Sequence, residues 1–147
     1  GGNAFQMLLV WRAHGIDKTL RQAWEKGIIL CGLSAGSLCW FSGSITDSWG
    51  HPLQVLNDGL GFLPESHCPH YDGEPERQKI YEESIANGTL PPGIAVEDSC
   101  GVLYRGPQLV ESVCSVPGKS AYRVTADGGK AKLTPIPTRE LPPHANR

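Results

Sequence analysis

The stretch Ile28-Ile29-Leu30-Cys31-Gly32-Leu33-Ser34-Ala35-Gly36-Ser37-Leu38 constrains the fold of this chain more than any other. An apolar run of strand length passes into Gly-x-Ser-x-Gly, and small residues suited to a helix start follow. This pattern predicts a nucleophile elbow, a sharp strand-to-helix turn that holds a serine hydroxyl, here Ser34, at the end of a sheet. Gly32 and Gly36 suit such a turn because neighbouring backbone comes close there and a Cβ would clash. The helix start after Ser34 also offers unpaired N–H groups to a developing negative charge.

The rest of the chain is compatible with one α/β domain. Its 147 residues are enough for a real core. A hydrophobic share of 39% against 19% charged is that of a globular chain rather than a disordered one. With a formal net charge of -2 and scattered Lys and Arg, no nucleic-acid footprint stands out. No apolar segment approaches the roughly 20 residues that cross a bilayer, and no basic-then-apolar leader opens the chain, so a membrane partner is not expected. Cys31, Cys39, Cys68, Cys100 and Cys114 are odd in number and irregularly spaced, and are read as reduced residues of a cytoplasmic protein. His67-Cys68-Pro69-His70 has the residue types of a zinc site but no matching second pair, so neither metal nor cofactor is expected.

Asn3 is expected to cap a first helix through Ala4, Met7, Leu8 and Trp11 that Gly15 ends. A second helix starts near Asp17 and stops at Gly27. After the elbow strand a short helix is expected over about 35–41. Residues 42–71 read as a long functional loop region. Pro75 opens a third helix with Ile80, Tyr81, Ser84 and Ile85 inward. Short strands at 94–96, 101–104, 109–116 and 121–125 follow, joined as hairpins at Gly106-Pro107, Pro117-Gly118 and Asp127-Gly128-Gly129. The domain is expected to span 1–134, with a Pro-rich tail over 135–147. A Gly-Gly pair directly before a helix, with no Met, reads as the C-terminal portion of a longer domain whose opening strands are missing.

A serine hydroxyl needs a base. His14 lies on a helix end and His144 in the tail, which leaves His51, His67 and His70. His70 stands out, since Pro69 fixes the backbone before it and a strand end passes into a loop there. For the acid that orients the imidazole, Asp47, Asp58, Asp72, Glu97 and Asp98 all remain open on spacing alone.

Three blocks resemble the dipeptidase E (peptidase E, α-aspartyl dipeptidase) family of serine peptidases, which also includes cyanophycinases. They are Gly1-Gly2-Asn3-Ala4-Phe5-Gln6, Gly32-Leu33-Ser34-Ala35-Gly36 and Pro69-His70-Tyr71. The likeness runs from Gly1 to about Tyr104. It implies a three-layer doubly wound sheet similar to class I glutamine amidotransferases, with a C-terminal antiparallel extension. It also implies a triad of Ser34, His70 and an acid, with Asp47 preferred and Asp98 in reserve. The N–H groups of Gly2 and Ala35 would form the oxyanion hole. Asn3 and Arg77 would contact substrate, and Arg77 is the one candidate for holding an acidic substrate side chain. The activity implied is hydrolysis of short peptides, as an exopeptidase or dipeptidase with a preference for N-terminal Asp. A cyanophycinase-like or esterase-type hydrolase and a non-catalytic binding relative are the alternatives. Besides a small peptide substrate, the expected partners are a second copy or the missing N-terminal portion.

Overall fold

The computed structural model describes residues 1–142. Asn3 caps α1 (Ala4–Ala13), its side chain accepting from the Gln6 N–H, and α2 (Ile16–Glu25) follows through Gly15. Beyond the elbow lie α3 (Ala35–Leu38), β1 (Phe41–Thr46), β2 (Gln54–Leu56) and β3 (Leu63–Cys68). Then come α4 (Pro75–Ala86), with Pro75 in its first turn, and β4 (Gly93–Val96). The chain continues through β5 (Cys100–Arg105), β6 (Gln108–Cys114), β7 (Ala121–Asp127), β8 (Lys130–Ile136) and β9 (Thr138–Glu140).

Six strands form one mixed sheet in the order β2-β1-β3-β4-β7-β8. Its centre, β1-β3-β4, is parallel, and β2, β7 and β8 are antiparallel to their neighbours. A second sheet, β5-β6-β9, stands apart from it. Alternation along the central strands divides the core. Ile45, Cys68, Ala95 and Val124 face one side, where Tyr81 and Ile85 of α4 close over them. Ile94 and Val96 pack instead against residues of the second sheet, including Val102, Tyr104 and Leu109. Ala4 and Leu8 of α1 join Ala35 and Leu38 of α3 in a smaller cluster beside Leu56. The architecture is therefore mixed α/β, as expected at that coarse level.

Six expectations need correction. Ile28–Cys31 is not a strand: no described strand pairs with it, and Ile29 is 86% exposed. The short helix ends at Leu38, because the chain turns at once into β1. Residues 42–71 carry β1, β2 and β3 rather than one long loop. Their strands read as polar because small residues do the packing: Ser44 is buried with its hydroxyl donating to the His67 carbonyl at 2.6 Å. A Cβ on Gly43 would lie 2.6 Å from Leu90 and 3.2 Å from the Leu56 carbonyl, so only glycine allows that close approach. Pro117-Gly118 joins strands of different sheets rather than a hairpin.

The expected tail begins at 135, yet β8 continues to Ile136 and β9 pairs in parallel with β6. The remainder of that segment, 143–147, lies outside the described residues. The cysteine reading is also revised: Cys100 and Cys114 are direct partners in the β5–β6 register and form a disulfide. Cys39 and Cys68 are buried free thiols, and burial pushes both up to about 12. No helix among the described residues is long and apolar enough to cross a membrane.

Candidate active site

Ser34 stands at the N-cap of α3 with φ 54° and ψ -124°, a conformation that costs a non-glycine residue energy and that a nucleophile elbow demands. The turn is tight enough that a Cβ on Gly32 would lie 2.0 Å from the Gly36 carbonyl oxygen. Leu33 O accepts from Gly36 N, and Ser34 O from both Ser37 N and Leu38 N. The Ala35 N–H, at the first helical position, makes no hydrogen bond among the described residues, and neither does that of Gly2.

The other groups come from the C-terminal ends of the parallel strands, where open α/β sheets bind ligands. β1 runs into Asp47, β3 into Pro69-His70 and β4 into Glu97-Asp98. Since β3 lies between β1 and β4, His70 has a carboxylate on each neighbouring strand end. It turns to one of them: His70 Nδ1 donates to Asp98 Oδ1 at 2.5 Å. No hydrogen bond joins Asp47 to His70, and Asp47 is exposed. Both His70 and Ser99 hold positive φ, 55° and 68°, around this pair.

Neighbouring residues clamp the acid loop. Asp72 Oδ1 accepts from the Asp98 N–H at 2.7 Å, and its other oxygen takes a hydrogen bond from Lys119. Partial burial pushes the Asp72 carboxyl up, but these donors outweigh it and hold the group below its ordinary value. Glu97 accepts from Ser120 N and Tyr122 Oη, so it ties β4 to β7. Asp58 pairs with Arg12 on the far helix α1. Of the five candidate acids, Asp98 is the one bonded to His70.

Gly2, Asn3, Ser34, Ala35, Asp47, His70, Arg77 and Asp98, the residues to which the family resemblance gave a role, line one cleft of about 480 Å³. Ser34 and His70 share this cleft without a hydrogen bond between them. Asn3 is committed on both ends: its Oδ1 caps α1 and its Nδ2 donates to Ser48 O at 2.7 Å. Arg77 is buried, donating from Nη1 to Ile45 O at 3.2 Å and reaching Glu74 at 3.4 Å, while its Nε has no partner. His51 lies exposed beside Glu76. His67 points elsewhere, from β3 toward α3, where Ser37 Oγ meets its Nε2 at 3.1 Å. Sequence reasoning set His67 aside, and only the alternation along β3, which puts it on the α3 side of the sheet, marks it out.

A serine on a strained turn at the start of α3 and a histidine bonded to a carboxylate across adjacent strand ends line one cleft, and these are residue types that a hydrolase uses. The family comparison agrees: the model of peptidase family S51 matches residues 1–111, and the chain belongs to that family. The resemblance read from the three blocks is thereby borne out. Among curated proteins, it is similar to the uncharacterized peptidase YgaJ of Bacillus subtilis (strain 168), 41% identical over 141 residues. That match covers 96% of this chain and 60% of the relative, so the chain spans about three fifths of the relative's length. No solved structure matches significantly.

Proposed function

We propose that this chain carries the catalytic residues of a serine peptidase acting on short peptides, an exopeptidase or dipeptidase with a preference for N-terminal Asp. The observation that carries the reading is the 2.5 Å His70–Asp98 bond in the cleft that Ser34 lines. Asp98 takes the role for which Asp47 was the first choice. With Nδ1–H held by Asp98, His70 Nε2 is left as the base for Ser34 Oγ. The oxygen attacks the substrate carbonyl, and the N–H groups of Gly2 and Ala35, without partners among the described residues, donate to the resulting oxyanion. His70 then returns the proton to the leaving amine, and water releases the acyl group by the same route. The lack of a Ser34–His70 hydrogen bond is compatible with this role, since such bonds tighten around substrate. Arg77, partly unsatisfied and facing the cleft, is the cation for an acidic substrate side chain, and Asn3 completes the rim.

Ser34→Ala in the complete protein, assayed on a dipeptide panel, is expected to cut turnover by about a millionfold. Turnover that survives the substitution removes serine catalysis. Asp98→Asn is expected to cost about ten-thousandfold in kcat, and Asp47→Asn much less. The reverse order would return the acid's role to Asp47.

The reading extends to the setting of the site. The parallel strands with α4 on one face and α3 on the other fit part of a three-layer sheet like that of class I glutamine amidotransferases. Exposed Ile28, Ile29 and Leu33 border an apolar groove of about 860 Å³ below the β5–β6 hairpin. We assign that groove to further length of the S51 domain, pairing along Ile28–Cys31, in preference to a second copy. The cytoplasmic location expected from reduced cysteines is not carried into the proposal, because Cys100 and Cys114 form a disulfide.

A further inference from the structure

His67 is 3% exposed on β3, with its ring stacked on Phe41 at 4.6 Å. Its Nδ1 lies 3.2 Å from the Ile94 carbonyl on β4, and its Nε2 lies 3.1 Å from Ser37 Oγ on α3. A carbonyl only accepts, so Nδ1 carries the ring hydrogen, and a neutral ring leaves Nε2 as an acceptor. Burial, the largest influence on this ring, lowers its pKa to about 4 and keeps it neutral. Ser37 Oγ also lies 2.8 Å from the Ser34 carbonyl oxygen. One hydroxyl hydrogen thus serves two fixed acceptors, one on the sheet and one in the elbow.

The Ser34 carbonyl and the Ala35 N–H belong to the same planar peptide and point in opposite directions. Ser37 N, Leu38 N and Ser37 Oγ surround the carbonyl on the inner side. The N–H therefore faces outward, where Ser34, Ala35 and Gly2 line the cleft. α3 is four residues long, too short to hold a strained turn by its own ladder. Ala35 and Leu38 pack it against α1, and a directional, polar restraint runs through Ser37 to the sheet.

We propose that Ser37, braced by His67, is a positioning residue that sets the Ser34–Ala35 peptide plane and so aims the Ala35 N–H at the developing oxyanion. This rests on the serine-peptidase reading above. It accounts for a buried histidine in hydrogen-bond contact with the elbow helix, a placement that the Ser34–His70–Asp98 arrangement does not use.

The test compares Ser37→Ala, Ser37→Thr, His67→Gln and the Ser37→Ala/His67→Gln pair in the complete protein, with kcat and KM measured on a cleaved dipeptide. A full oxyanion donor is worth about a hundredfold or more, so a misaimed one is expected to cost about tenfold in kcat with KM unchanged. Ser37→Thr keeps the hydroxyl and is expected to restore kcat. The paired substitution is expected to cost no more than the larger single loss, because both act through one hydroxyl. Three results would overturn the role: parental kcat in Ser37→Ala, a Thr variant no better than Ala, or losses that multiply. Ser34→Ala run alongside separates the two levels. If it retains turnover, the serine mechanism itself fails and this inference with it; if it abolishes turnover while Ser37→Ala does not, only the positioning role fails.

Discussion

At the scale of single residues, the protein concentrates its cost in a few places. Ser34 and His70 sit at positive φ, and His67 is a histidine buried without charge. The last has a measurable consequence. Its folded pKa of about 4 lies below the ordinary 6.5, from burial first, with the Ile94 carbonyl opposing and the neighbouring His70 adding. Between those two values the unfolded chain takes up a proton that the folded chain refuses. Stability is therefore expected to fall as pH drops from about 6.5 to about 4, by roughly 3 kcal/mol from this group, and to lose nothing further from it below that. Urea unfolding at a series of pH values checks this against His67→Gln, which should flatten the slope in that window. An unchanged slope would mean that other groups set it. Ser34 and His70 were legible as candidates in the sequence because each sits in a local pattern, a glycine-framed turn and a proline-fixed strand end. The acid was not, because Asp47 and Asp98 end the strands on either side of β3.

Elements explain the next level. Helices α1, α2 and α4 were legible from caps, glycine stops and Pro75, all of them local signals. β1 and β3 were not, since their buried positions include Ser44, Ser66 and His67, whose burial is offset by long-range hydrogen bonds to the His67 carbonyl, to Tyr81 of α4 and to the Ile94 carbonyl with Ser37 of α3, respectively. The β5–β6 hairpin was anticipated from Gly106-Pro107, but its disulfide was not: Cys100 and Cys114 are 14 residues apart, and only the register makes them partners. Closing a loop of that size restricts the unfolded chain by about 3 kcal/mol. Reduction is expected to lower the thermal midpoint of the protein, and Cys100→Ser/Cys114→Ser should make the midpoint insensitive to reductant. A midpoint that reductant leaves alone in the parent would indicate that the bond does not form in solution.

Across the whole molecule, the sheet brings the C-terminal ends of β1, β3 and β4 into line and faces them with the elbow. One side is left uncovered, where Ile28, Ile29 and Leu33 are exposed along an apolar groove. If further domain length pairs there, amide exchange at residues 28–31 is expected to be slow in the complete protein and fast in this 147-residue chain alone. Fast exchange in both would rule out strand pairing at the elbow. By itself the sequence determined the elbow serine, the histidine, the helices and the peptidase family, because glycines, prolines, caps and apolar spacing act over a few neighbouring residues. The tertiary structure alone decided which carboxylate meets the imidazole, which serines are strand core and that Ser37 meets His67. Those choices depend on which strand ends lie side by side and which way each ring turns between them, and no local pattern encodes either.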